Sequence, residues 1–99
     1  MLKLTKNWSD LKLELSSPPL TVDEAVERLL FVLSDEDKLA ITAMREDELF
    51  DLHFTLGLAI RNAWLNQVDS YLRAACGTYH PDDASHVIIK ALWSNLSAL

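Results

Sequence analysis

Three residues that are unusual inside a helix recur at four-residue intervals near the middle of the chain. His53, Gly57 and Arg61 lie within residues 51–62, whose other members are mostly apolar. Residues four apart share one face of an α-helix, so these three would form a single stripe. An imidazole can move a proton or bind a metal, and a guanidinium can hold an anionic group. The stripe is therefore the first candidate for a site.

A second set of polar side chains surrounds the start of the last predicted helix. It includes serine, histidine and aspartate, which are the residue types of a hydrolytic triad. However, Ser85 falls inside a helix, and the chain has no Gly-x-Ser-x-Gly turn. His53 also lacks a histidine or an acid four residues away with which to bind a metal. We therefore predict no catalytic residue, no metal and no cofactor. The two sets together form a candidate polar seam of His53, Gly57, Arg61, Asn62, His80, Asp82 and Ser85.

A structural explanation of the seam competes with a functional one. On a helical wheel the apolar residues of 46–63 cover more than half the circumference, and both His53 and Arg61 fall inside that arc. A buried guanidinium needs a carboxylate, and Asp82 at the edge of the last helix's apolar face is the predicted partner, with a fork of two hydrogen bonds as the expected geometry. Gly57 would allow another backbone, such as the loop 78–81, to approach closely. The sequence leaves open whether this seam is sealed or forms a pocket.

Helix start and stop signals predict an all-α fold, a compact bundle of about five helices. Thr21 and Glu24 form a capping box, Ser34 is a second N-cap, and Pro81 suits the first position of the last helix. Gly77 suits the position just after a helix. The acidic clusters fall at helix starts, where they favour the helix dipole. The predicted helices cover residues 22–33, 35–44, 46–63, 66–76 and 81 to near the C-terminus.

Residues 1–20 differ from the rest of the chain. Leu11, Leu13 and Leu15 alternate with charged residues, which is typical of extended backbone, and two prolines follow. We therefore divide the chain into an extended N-terminal arm, 1–20, and a single helical domain, 21–99. Phe31 falls on the charged face of the first helix. We expect the arm to cover it, and contact with a partner is the alternative.

The composition favours a small, acidic, cytoplasmic protein. The chain has 99 residues, enough for one hydrophobic core, and a net charge of −6 that disfavours binding to nucleic acid. Cys76 is the only cysteine, so an internal disulfide is excluded. No apolar run is long enough for a membrane span, and the first residues do not resemble a secretory signal.

Two motifs resemble a known family. The motifs are Leu52-His53-Phe54-x-Leu56-Gly57-x-x-Ile60-Arg61-Asn62 and His80-Pro81-Asp82-Asp83-Ala84-Ser85. Together they resemble a family of small, mostly bacterial domains described only as a domain of unknown function, over about residues 21–96. The resemblance implies an α-helical domain and no assigned activity. The chain departs from the family pattern after Asn62, where a glycine is usual.

These observations support two hypotheses. The first is a non-enzymatic protein-interaction or self-association module, with a protein partner or a second copy of the chain. The alternative is a small anionic-ligand or enzymatic site at the seam, where Arg61 would hold the anion and His53 would move a proton. A pocket exposing Arg61 and His53 together would favour the alternative, whereas closure of Arg61 by Asp82 would disfavour it.

Overall fold

The computed structural model describes residues 8, 11, 13, 17–66 and 70–98 and confirms the predicted all-α bundle. No strand occurs in this part of the chain. No helix among these residues is long and apolar enough to cross a membrane. The helices are α1 (Val22–Val32), α2 (Asp35–Thr42), a 3₁₀-helix (Glu46–Leu52), α3 (Leu56–Ile60), a π-helix that continues α3 (Arg61–Leu65), α4 (Tyr71–Ala75) and α5 (Pro81–Ser97).

The first two helices begin at the predicted caps. The Glu24 N–H donates to the Thr21 hydroxyl at 3.1 Å. At α2 the Asp37 N–H donates to the Ser34 hydroxyl at 3.1 Å, while the Ser34 N–H donates to the Asp37 carboxylate at 3.2 Å. These bonds satisfy backbone donors that have no partner within the helix. Local sequence therefore determines where both helices start.

Helix α5 lies at the centre of the packing. It contacts α1, α2, the 3₁₀-helix, α3 and the π-helix. The Trp93 indole N–H also donates to the Met44 carbonyl at 2.9 Å, which ties α5 to the end of α2. The inward-facing residues predicted for α5 are confirmed as buried: Ala84, Ile88, Ile89, Leu92 and Leu96. The start of α5 is thus fixed relative to the elements that carry the seam.

The single helix predicted over residues 46–63 is wrong. The 3₁₀-helix ends at Leu52, a turn follows at 53–55, and Thr55 has non-helical angles of φ −118° and ψ −88°. After α3 the backbone hydrogen bonds change to the five-residue spacing of a π-helix: the Asn66 N–H donates to the Arg61 carbonyl at 3.0 Å. Residues 53 and 61 therefore belong to different elements, and the turn releases the His53 carbonyl from any helical hydrogen bond.

The fourth helix also starts later than predicted. The Ser70 hydroxyl accepts from the Arg73 N–H at 3.1 Å, so α4 begins at Tyr71 rather than at residue 66. Residues 67–69 lie outside the described part of the chain. The predicted role of Gly77 is confirmed by its φ of +79°, a left-handed conformation that glycine adopts without strain.

Two residues of the N-terminal arm belong to the hydrophobic core. Trp8 and Leu13 are 1% and 4% exposed, and the Leu13 carbonyl accepts from the buried Trp64 indole N–H at 3.3 Å. Phe31 is 91% exposed, so the expectation that the arm covers it is wrong. Leu11 packs at the edge of the core, while Leu15 lies outside the described residues. The described arm residues Trp8, Leu11 and Leu13 thus pack in or against the core.

Candidate functional site

Arg61, the first residue of the π-helix, is buried among three partners. It is 8% exposed. Its Nη1 donates to the Ser85 hydroxyl at 3.2 Å and its Nη2 donates to the His53 carbonyl at 3.0 Å. Its Nε lies 3.4 Å from Oδ1 of Asp82. All three nitrogens of the guanidinium therefore face an acceptor, and the predicted proximity of Arg61 and Asp82 is confirmed.

The predicted two-bond fork between Arg61 and Asp82 is wrong. Only Nε approaches the carboxylate, and the Asp82 side chain is 69% exposed. Water competes for an exposed carboxylate, so such a pair contributes little to stability. The sequence overstated the importance of Asp82 as the partner of Arg61. A helical wheel shows that Asp82 lies at the edge of the apolar face, but it does not show how exposed that edge is. The buried acceptors are instead a hydroxyl and a backbone carbonyl.

The His53 ring is held between two phenylalanines and Arg61. Its Nδ1 lies 3.4 Å from Nη1 of Arg61. Because a guanidinium only donates, Nδ1 is the acceptor and the ring proton of neutral His53 is assigned to Nε2. The Phe50 ring stacks on the imidazole at 5.5 Å between centroids, and Phe54 meets it edge-on at 4.7 Å. The imidazole is thus fixed in orientation by contacts on several sides.

Ser85 is not arranged as a nucleophile. Its side chain lies inside the fold at 1% exposure. Its hydroxyl donates to the Asp82 backbone carbonyl at 2.9 Å and accepts from Arg61. Its neighbours thus leave no bond to an imidazole among the described residues, and Nδ1 of His53 faces Arg61 rather than an aspartate as in a triad. Ser85 therefore positions the guanidinium.

Gly57 makes room for Arg61. A Cβ at this position would lie 3.0 Å from Nη1 of Arg61, 3.3 Å from the Leu52 carbonyl oxygen and 3.6 Å from Ile89. The prediction that the loop 78–81 approaches Gly57 is therefore wrong, because the three nearest atoms belong to Arg61, Leu52 and Ile89. Gly57 and Arg61 lie four residues apart, so the position where Gly57 lacks a side chain is directly beside the guanidinium.

Asn62 and His80 lie apart from the other seam residues. Asn62 is exposed and its side-chain oxygen accepts from the Asn66 amide at 3.2 Å. His80 is exposed at the start of α5, where its backbone N–H donates to the Thr78 hydroxyl at 3.1 Å. Sequence proximity to Arg61 and Asp82 was misleading, since neighbouring residues on a helix point in different directions. The polar seam as the structure has it consists of His53, Gly57, Arg61, Asp82 and Ser85.

The family model described as a domain of unknown function, DUF6794, matches residues 18–96. The chain belongs to this family. The match is consistent with the resemblance to a small family of unknown function, and its range includes every residue of the seam. Comparisons with curated proteins and with solved structures found no significant match.

Two other features of this DUF6794 domain lie outside the seam. Burial raises the pKa of the Cys76 thiol, which therefore favours its protonated, less nucleophilic form. A shallow depression of about 350 Å³ lies between α1 and α5 and is lined by none of the seam residues. Within the described residues, no three histidine, cysteine or acidic side chains group as metal ligands would.

Sequence reasoning missed the aromatic partners of His53. Phe50 and Phe54 were assigned to the apolar arc of a single buried helix, yet they are 64% and 75% exposed. The signal was the three-residue spacing of Phe50 and His53, which brings side chains into line on a 3₁₀-helix. We call Phe50, His53 and Phe54 the aromatic surface.

Proposed function

We propose that this domain is a non-enzymatic protein-interaction module that binds another protein through the aromatic surface. The observation that carries the proposal is that two large apolar rings are exposed and yet held in place. Phe50 and Phe54 both contact His53, whose carbonyl and ring nitrogen face Arg61. Binding to rings that are already ordered loses less side-chain entropy than binding to free ones.

Exposed aromatic side chains suit the energetics of protein interfaces. Aromatic residues are enriched in interface cores, where a few of them supply most of the affinity. Phe31 is even more exposed, at 91%, but it makes no ring contact with any described residue. The aromatic surface thus combines exposure with order, and Phe31 provides a matched comparison.

The geometry does not favour the alternative of an anionic-ligand or enzymatic site. Each nitrogen of Arg61 already faces an acceptor, and the side chain is buried. An anion would have to displace the Ser85 hydroxyl and the His53 carbonyl, both of which would lose a charged donor. The guanidinium therefore supports the turn and the start of α5.

The test compares proteins captured from the cells of origin by the wild type, by the double variant Phe50→Ser/Phe54→Ser and by Phe31→Ser. We expect partners of the wild type to be retained by Phe31→Ser and lost by the double variant. Circular dichroism should show that all three remain folded. A partner retained by the double variant would contradict the proposal, as would one lost with Phe31→Ser.

A further inference from the structure

We infer that the segment bound at the aromatic surface presents an arginine beside an apolar side chain. This inference rests on the proposed function and adds the chemistry of the partner. The aromatic rings alone would accept many apolar groups. The residues around them narrow the choice, because Phe50 lies on a 3₁₀-helix that also carries exposed carboxylates.

The 3₁₀-helix places a carboxylate in line with Phe50. Side chains three residues apart eclipse each other on such a helix, so Asp47 and Phe50 fall in one column. The C-cap residue His53 continues the column, since its N–H donates to the Phe50 carbonyl at 3.0 Å. One face of the Phe50 ring stacks on His53. Because 64% of the residue is exposed and His53 covers one face, the column predicts that the other face is turned toward Asp47. A cation there would meet both a ring face and a carboxylate.

The charges around the surface are predominantly negative. Residues 45–52 carry four carboxylates and one cation. Glu46 is paired with Lys90 at 2.8 Å, whereas Asp51 is exposed and makes no hydrogen bond or ion pair within the described part of the chain. Asp47 has 74% of its side chain exposed. Asp47 and Asp51 are therefore available to a positively charged partner.

Arginine fits this arrangement better than lysine. A guanidinium is planar, stacks on aromatic faces and binds a carboxylate through two parallel hydrogen bonds. A guanidinium already occupies the Asp47 carboxylate through one hydrogen bond, from Nε of Arg45 at 3.2 Å. Both side chains of that pair are about three-quarters exposed, so it is weak and a partner's guanidinium can replace it.

A second copy of the chain is a poorer occupant. The protein carries a net charge of −6, and two aromatic surfaces facing each other would bring their carboxylates together. Like charges across an interface oppose association. Charge complementarity therefore favours a basic segment of a different protein.

The experiment pans a random dodecapeptide display library against the intact protein and resynthesises the enriched peptides. We expect enrichment in arginine. Binding should weaken roughly tenfold when the peptide arginine is replaced by citrulline or when Asp47→Asn/Asp51→Asn removes both carboxylates. Asp35→Asn/Glu36→Gln is the matched control, because it removes the same charge from α2 and should leave affinity within about twofold.

The outcomes separate this inference from the proposed function. Enriched peptides that lack a cation but still depend on Phe50 and Phe54 would refute the inference that the partner presents an arginine. They would still support the aromatic surface as the interaction site. Peptides that bind the Phe50→Ser/Phe54→Ser variant as tightly as the wild type, or no enrichment at all, would overturn both. Sedimentation showing a dimer that this variant abolishes would identify a second copy as the occupant and reject the basic partner.

Discussion

Arg61 stabilises the seam mainly through acceptors that carry no charge. The His53 carbonyl has no helical partner, because the chain turns at 53–55, and the guanidinium donates to it at 3.0 Å. A partly buried carbonyl without a donor is costly, whereas the exposed carboxylate of Asp82 can be solvated by water. The ion pair that sequence reasoning placed at the centre of the seam is thus its least important contact.

This order of importance predicts the effect of two substitutions. Arg61→Met leaves the His53 carbonyl without its donor and should lower the free energy of unfolding by about 2 kcal/mol. Asp82→Asn should lower it by less than about 1 kcal/mol. Urea denaturation measures both values. Asp83→Asn is the control for the helix dipole, and an Asp82→Asn cost well above that of Asp83→Asn would show that the ion pair matters more than argued.

Gly57 provides a test of coupling within the seam. Alanine should gain about 1 kcal/mol in helix propensity, but its Cβ would lie 3.0 Å from a guanidinium held by Ser85 and His53. We expect Gly57→Ala to destabilise the wild type by on the order of 1 kcal/mol. In the Arg61→Met background the same change should be neutral or stabilising, because the fixed group is absent. Equal costs in both backgrounds would place the obstruction at the Leu52 carbonyl.

At the level of elements, the sequence predicted helix starts well and the interior of the third helix poorly. Caps at Thr21 and Ser34 are local hydrogen bonds between residues three apart, so the pattern is readable directly. The turn at 53–55 is stabilised by Arg61, eight residues from His53, and by Ser85 on another helix. A wheel that assumes a continuous helix cannot show such a turn, and the aromatic surface was missed for the same reason.

Ser70 joins two elements, which gives a prediction at this scale. Its hydroxyl accepts from the Arg73 N–H at the start of α4 and donates to the Trp64 carbonyl in the π-helix at 3.0 Å. Ser70→Ala removes both bonds and should lower the free energy of unfolding by about 1–2 kcal/mol. Ser94→Ala, at an exposed position inside α5, should change it by less than about 0.5 kcal/mol. Similar values for the two variants in thermal or urea denaturation would mean that the cap contributes nothing.

For the whole molecule, apolar periodicity identified the part of the core formed by α1 and α5. It did not identify the part contributed by Trp8 and Leu13, because two residues of an extended segment carry no helical period. The contact between Leu13 and Trp64 joins positions 51 residues apart, a separation that no local pattern reveals. Phe31 illustrates the opposite error. An apolar residue on a charged helix face is consistent both with exposure and with cover by a distant segment, and the structure has it exposed.

The burial of Trp8 gives the prediction that depends most on the whole fold. Trp8→Ala removes a large side chain that is 1% exposed and should cost about 3–5 kcal/mol in the free energy of unfolding. Trp8→Phe should cost much less, because the indole N–H is buried without a hydrogen-bond partner among the described residues and its loss removes that penalty. Phe31→Ala, at 91% exposure, should change stability by less than about 0.5 kcal/mol. Urea denaturation measures the free energy of unfolding of the three variants. A loss for Trp8→Ala as small as that for Phe31→Ala would mean that the arm does not complete the core, because a tryptophan that lies in solvent adds no buried surface to the folded state.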